Sequence, residues 1–91
     1  MAEVTWSSEA LSDLDLIIAY IAHFDRDAAE RVAQRLIDAG ESLNTFPSRG
    51  RPRESDVRTL SIVQPYLILY RVIGGEVLIL GIRHGRRGEP E

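Results

Sequence analysis

Four side chains in the second half of this sequence are of the types that phosphodiester cleavage uses. Glu54 and Arg58 are separated by three residues, and Arg71 and His84 follow further along the chain. Cleavage of RNA needs a base, an acid, and cations that stabilise the charge developing on the phosphate. One assignment therefore makes Glu54 the base, His84 the acid, and Arg58 and Arg71 the cations that clamp the phosphate.

The composition removes most other kinds of catalytic or metal site. The chain has 91 residues and no cysteine, which excludes a thiolate nucleophile, a disulfide and a thiolate metal site. The chain has 11 arginines and no lysine, so a lysine base is excluded as well. The two histidines, His23 and His84, do not have the spacing of metal ligands, and we expect neither a metal site nor a cofactor.

Charge is distributed unevenly along the chain. Residues 1–45 carry three arginines and nine acids, whereas residues 46–91 carry eight arginines and five acids, within a net charge of −3. We therefore expect the C-terminal half to bind an anionic partner. A compact basic cluster near the C-terminus consists of Arg83, His84, Arg86 and Arg87. This cluster is predicted to contact a target, although direct nucleic-acid binding is not expected of a net acidic chain.

Two amphipathic helices are predicted in the first half of the chain. Apolar residues at spacings of three and four predict a first helix at about residues 8–23, with serine N-caps. Asp27 and Glu30 resemble a capping box, so a second helix is predicted to begin near residue 27 and to end before Pro47. Small residues on its apolar face, Gly40 among them, predict close approach of a neighbouring helix. The short link between the two helices makes them an antiparallel hairpin.

The remaining regular segments are predicted to be strands. Apolar, β-branched and aromatic residues predict strands at Glu3–Trp6, Val57–Val63, Tyr66–Val72 and Glu76–Ile82. Residues 48–53 form a basic loop, and two glycines suit a tight turn before the last strand. The order β-α-α-β-β-β predicts a two-layer α+β domain in which the helical hairpin packs on an antiparallel sheet.

The strands of this predicted sheet are apolar on both faces. Tyr66, Ile68 and Tyr70 point to one side of their strand, while Leu67 and Leu69 point to the other. Two helices cover only one face, so the second face needs another cover. The terminal segments or a second copy of the chain would supply it, or else a dedicated protein partner would.

Several segments occur in a fixed order along the chain, and this order is more specific for a protein family than any single segment. In the second half they are Leu43–Pro52, Val57–Leu60, Tyr66–Val72 and Ile79–Arg87. In the first half, a strand ending in Trp6-Ser7 precedes an apolar series that includes Ala10 and Leu14. The most specific piece is the closing His-Gly-Arg-Arg after an apolar strand. In these features nearly the whole chain resembles the ParE group of bacterial toxins in the RelE/ParE superfamily.

The resemblance implies the toxin half of a type II toxin–antitoxin pair of the plasmid-stabilisation kind. It also implies the fold predicted above and a cognate antitoxin whose flexible C-terminal part wraps the toxin. Antitoxin contacts are expected at Arg58, Leu67, Leu69 and Arg71. In this superfamily, toxins of the ParE kind poison DNA gyrase, whereas their RelE relatives cut messenger RNA on the ribosome.

The absence of residue types that RelE-type nucleases use favours gyrase as the target. The sequence has no lysine, and no tyrosine follows the last strand, whereas RelE-type nucleases commonly use such groups. A gyrase poison needs a shaped surface and no catalytic set, so we expect no enzymatic activity. The alternative is a RelE-like ribosome-dependent messenger RNA endonuclease that uses the Glu54 and His84 assignment.

The same sequence predicts where the protein is found and how it is divided. The first residues do not resemble a signal peptide, and the longest apolar runs are too short to span a bilayer. We therefore expect a cytoplasmic protein without membrane association. It is expected to be one domain, residues 1–91, with residues 87–91 as a flexible tail.

Overall fold

The computed structural model of the chain describes residues 2–85. Its helices are α1 (Ser8–Ala22) and α2 (Arg26–Glu41). Its strands are β1 (Val4–Trp6), β2 (Arg51–Pro52), β3 (Val57–Val63), β4 (Tyr66–Ile73) and β5 (Glu76–His84). The predicted helices and strands are all present, and the predicted tail at residues 87–91 lies outside the described residues.

The strands form one five-stranded sheet in the order β1-β5-β4-β3-β2. The last three strands make the predicted antiparallel meander, and Gly74 and Gly75 in the turn before β5 have φ angles of 56° and 81°. Strand β1 pairs parallel with β5, with Val4 opposite Val77, so the sheet is mixed. The predicted two-layer α+β fold is confirmed, and the basic loop adds the short strand β2, in which Arg51 lies opposite Thr59.

Side-chain caps set where the two helices begin. Ser7 caps α1 by accepting a hydrogen bond from the backbone N of Ala10 at 3.0 Å. Asp25 caps α2 by accepting from the backbone N of Ala28 at 3.0 Å, so the predicted cap at Asp27 was wrong. Asp25 has the extended backbone that an N-cap needs, whereas Asp27 lies inside the first turn of α2.

Both helices pack on one face of the sheet. That face contributes Leu60, Ile68, Tyr70, Val77 and Ile79, all buried, to a core shared with the helices. Gly40 of α2 allows a close approach, but its neighbour is β1 and not α1: a Cβ at Gly40 would lie 2.5 Å from the Trp6 ring. The small residue therefore brings the helix down onto the sheet.

Candidate functional site

The second face of the sheet, which we call the open sheet face, presents an apolar strip. Register pairs Thr59 with Leu69, and Arg71 with Leu78, so these side chains point away from the helical layer. Leu67 follows on the same side of β4 and is buried. Apolar residues on both faces of the strands were predicted, and the structure shows which residues belong to each face.

Arginines border this strip. Arg51 lies opposite Thr59 in the sheet, and Arg53 donates from Nε to the Thr59 hydroxyl at 3.3 Å. Arg83 lies opposite Leu67 at the other end of the strip. Glu76, opposite Ile73, is the acid at the register positions of the open sheet face within residues 57–83, and it lies beyond the Arg71 end of the strip. An arginine rim around an apolar strip suits a partner that carries carboxylates among apolar side chains.

Arg71, which lies on the same face as this strip, is only partly hydrogen-bonded. Its Nη2 donates to the Ser55 carbonyl at 3.3 Å, a long contact. Its Nε is buried and has no hydrogen-bond partner among residues 2–85. Ser55 and Asp56 adopt left-handed backbone angles, with φ of 59° and 63°, where the chain turns into β3. Arg71 therefore retains a guanidinium N–H donor of the kind that pairs with carboxylates.

Arg58 has a structural environment that the sequence did not predict. It lies opposite Tyr70 on the helical side of the sheet. Its Nη1 donates to the carbonyls of Ser48 and Gly50 at 3.2 and 2.7 Å. Three of the four predicted antitoxin contacts therefore lie on the open sheet face: Leu67, Leu69 and Arg71. The fourth, Arg58, lies on the helical side and hydrogen-bonds to the basic loop.

Tyr70 holds the same loop from inside the core. Its side chain is 0% exposed, and its hydroxyl donates to the Pro47 carbonyl at 2.7 Å. The hydroxyl also accepts from the backbone N of Gly50 at 2.8 Å. The signal that sequence reasoning missed is a tyrosine at a core-facing strand position, where a buried hydroxyl needs polar partners.

The base and the acid of the nuclease assignment, Glu54 and His84, are not brought together. His84 lies opposite Tyr66 at the first residue of β4, and the two rings are 5.9 Å apart. Val57, which follows Glu54 by three residues, lies opposite Arg71, five residues further along β4. That separation corresponds to roughly 17 Å along a strand, too far for one substrate atom to reach both Glu54 and His84.

Asp13 of α1 ties the helical layer to the end of β5. Its Oδ2 accepts from the backbone N of Ile82 at 2.9 Å and from Nη1 of Arg83 at 3.1 Å. Gly81 leaves room for this arrangement, since a Cβ there would lie 3.0 Å from Asp13 Oδ2. Arg83, predicted to contact a target, is thus held by Asp13, while Arg86 and Arg87 of the same predicted cluster lie outside the described residues.

The described part of the chain contains neither a metal-ligand cluster nor a membrane-spanning helix. Residues 2–85 contain no group of three or more histidine, cysteine or acidic side chains arranged to hold a metal ion. Neither α1 nor α2 is long and apolar enough to cross a bilayer.

A helical hairpin packed on one face of a mixed sheet, with arginines bordering the other face, defines a small two-layer α+β protein. The sequence profile described as the ParE toxin of type II toxin–antitoxin systems, parDE, matches residues 4–88. The chain therefore belongs to the ParE toxin family of type II toxin–antitoxin systems.

Individual relatives agree with this family over nearly their whole length. Toxin RelE2 of Caulobacter vibrioides is 46% identical over 87 residues, which cover 96% of this chain and 99% of that toxin. Putative toxin Y4kP of Sinorhizobium fredii is 40% identical over 90 residues, covering 97% of this chain and 93% of that protein. A solved structure of the chromosomal ParDE toxin–antitoxin system from P. aeruginosa superposes with a TM-score of 0.81 and 30% identity, covering 92% of this chain and 96% of the other.

Proposed function

We propose that this toxin inhibits DNA gyrase and that its cognate antitoxin neutralises it by covering the open sheet face. The observation that carries the proposal is that the polar groups of the site suit binding and not catalysis. Arg58 and Asp13 are engaged in bonds within the fold, and Glu54 and His84 lie at opposite ends of β4.

The antitoxin part of the proposal rests on the chemistry of the open sheet face. Leu69 and Leu78, both half-buried, offer apolar contacts above the buried Leu67, and Arg71 offers a donor that residues 2–85 leave unbonded. A segment that alternates apolar and acidic side chains would satisfy both at once. Charge-assisted bonds of arginine to carboxylate are short and strong, so Arg71 is the expected anchor.

The target part of the proposal rests on what a ribosome-dependent nuclease would need. Such an enzyme needs its acid, base and cations around one phosphate, and this chain does not assemble its candidates in that way. Messenger RNA cleavage is kept as the second candidate because two Caulobacter relatives carry RelE names, at 46% and 35% identity. A surface that binds gyrase requires no such assembly.

Synthesis rates in living cells separate the two candidates. We expect induction of the chain to stop growth, with incorporation of labelled thymidine falling before incorporation of labelled amino acids. Co-expression of the cognate antitoxin should restore both. Amino-acid incorporation that stops first, with cut messenger RNA, would instead assign the toxin to the ribosome, and normal growth with abundant folded protein would refute toxicity altogether.

A further inference from the structure

A cleft opens between the basic loop and the turn that joins β3 to β4. It has a volume of about 650 Å³, a size typical of ligand sites. Within residues 2–85, the side chains that line it include three arginines and no acid. We call it the basic cleft; its polar lining consists of Arg49, Arg51, Arg53, Thr59, Ser61 and Gln64. Such a lining attracts an anion.

The arginines of the basic cleft occur at every second position of the chain. Arg49, Arg51 and Arg53 alternate with Gly50 and Pro52, and the chain is extended where β2 pairs with β3. In an extended chain, side chains two residues apart point to the same side and are separated by roughly 7 Å. Successive phosphates of a nucleic-acid strand have a similar separation. The row of arginines therefore suits a row of phosphates better than one small anion.

The loop that carries these arginines is held in place by the fold. Arg58 and the buried hydroxyl of Tyr70 bond its backbone from the helical side. Within the loop, the backbone N of Arg49 donates to the Phe46 carbonyl at 3.1 Å. Nη1 of Arg49 donates to the Ser42 hydroxyl at 2.8 Å. A receptor that is ordered before its ligand arrives loses less conformational entropy on binding, so the basic loop is preorganised for contact.

An exposed aromatic ring lies next to the basic cleft. Phe46, at the start of the loop, is 62% exposed and borders a shallow hollow formed by residues 45–49. Arg49 lines both this hollow and the basic cleft, so the ring and the arginine row are adjacent. Unpaired bases stack on exposed aromatic side chains while cations hold the backbone. An acidic peptide would supply carboxylates for the arginines but no base to stack on Phe46.

We propose that the basic cleft and Phe46 bind an unpaired strand of DNA, with the arginines on phosphates and the ring stacked on a base. The net charge of −3 gave the opposite expectation, but a phosphate in the cleft is governed by the charges within a few ångströms of it. The choice of DNA over RNA rests on the proposed function, because gyrase acts on DNA. Arg71, the proposed antitoxin anchor, does not line the basic cleft, so the two contacts are separate.

The test measures binding of the purified toxin, without gyrase, to a fluorescently labelled single-stranded DNA oligonucleotide over a series of salt concentrations. Arg49→Gln combined with Arg51→Gln should weaken binding at least tenfold. It should also reduce the slope of the logarithm of affinity against the logarithm of salt concentration by about 1.4, because two phosphate contacts are lost. The matched control is Arg26→Gln combined with Arg31→Gln, which removes the same charge from exposed positions of α2 that do not line the cleft. The control should change affinity less than threefold and leave the slope unchanged.

A second pair of variants reports on stacking. Phe46→Ala should weaken DNA binding on the order of tenfold without changing the salt slope, because a stacked base is lost and no phosphate contact is. Phe24→Ala is its control, since Phe24 is 71% exposed but follows α1, and its affinity should change less than twofold. Thermal unfolding of each variant checks that the fold is kept.

Two further ligands, an RNA oligonucleotide of the same base sequence and a poly-glutamate peptide, separate this inference from its alternatives. Binding of RNA but not DNA overturns the assignment to DNA, and poly-glutamate bound as tightly as DNA overturns it in favour of an acidic protein segment. Equal losses in the cleft and control variants also overturn it. Gyrase inhibition by a toxin that does not bind DNA overturns this inference alone. DNA bound in the cleft, with gyrase activity undisturbed, refutes the proposed function and leaves the DNA site standing.

Discussion

At the level of single residues, the hydroxyl of Tyr70 fixes the loop that carries three of the arginines. It is buried, donates to Pro47 and accepts from Gly50, so it satisfies two backbone groups that would otherwise be desolvated without partners. Arg58 adds two further bonds to the same loop from the helical side. The position of the basic loop is therefore set by a core residue and not by the loop's own sequence.

Removal of this hydroxyl should be costly although the ring is kept. Tyr70→Phe is expected to lower the free energy of unfolding by about 1–3 kcal/mol, because a buried donor and a buried acceptor lose their partner. Urea unfolding at equilibrium measures the change. Tyr20→Phe is the matched control, since Tyr20 is 68% exposed and its change should be within about 0.5 kcal/mol. Equal stability of both variants would contradict the proposed role of Tyr70.

The types of residue at the candidate site were predictable from the sequence, but the contacts between residues that are distant in the chain were not. Arginine-rich chemistry and apolar residues on both faces were visible in the pattern of β4. The bond from Ile82 to Asp13 spans 69 positions and that from Gly50 to Tyr70 spans 20, and neither is marked by a local motif. Arg58 and Arg71 were both expected to contact the antitoxin, and the register places them on opposite faces of the sheet.

At the level of secondary structure, the contact between α2 and β1 depends on one glycine. The backbone of Gly40 lies so close to Trp6 and Ile79 that an added Cβ would fall 2.5 and 2.9 Å from their side chains. Trp6 is fixed in turn by its indole N, which donates to Glu41 at 3.0 Å. The ring therefore cannot shift without loss of a hydrogen bond.

Gly40→Ala should accordingly destabilise the protein, although alanine is the better helix former by about 1 kcal/mol. Overpacking against a fixed ring typically costs about 1–3 kcal/mol, so the net change should be destabilising. Thermal unfolding should show a lower midpoint. Adding Trp6→Phe, which shortens the ring system, should recover part of the loss. A stabilised Gly40→Ala protein would mean that the higher helix propensity of alanine outweighs the cost of overpacking against Trp6.

The elements themselves were well predicted where the signal is local. Apolar spacing gave both helices, and β3 was predicted with its observed bounds. The parallel pairing of β1 with β5 joins segments more than 70 residues apart, so no turn or spacing specifies it. The two-residue strand β2 was predicted as loop because its pairing depends on the position of β3 and not on its own residues.

At the level of the whole molecule, the two layers have opposite electrostatic character. Helices α1 and α2 together carry more acids than arginines, while the open sheet face is bordered by arginines. Both layers expose apolar side chains. A partner that wraps the chain would need segments of both charge signs, and a single flat interface would use only one of the two layers.

The fold alone does not choose a target, because function lies in the surfaces that a fold carries. Relatives with RelE names and the ParDE system share this architecture over nearly the full chain. What differs within such a family is which side chains converge, and here the candidates for cleavage of RNA lie at opposite ends of β4. That separation is the reason why we propose gyrase, and not messenger RNA, as the target.

The central claim is tested most directly with purified components. The toxin is incubated with DNA gyrase, ATP and plasmid DNA, and in parallel with ribosomes translating a defined messenger RNA. We predict loss of supercoiling or accumulation of cleaved plasmid, recovery of gyrase activity on addition of the antitoxin, and intact messenger RNA. Cleaved messenger RNA together with undisturbed gyrase activity would contradict the account and make the chain a ribosome-dependent nuclease.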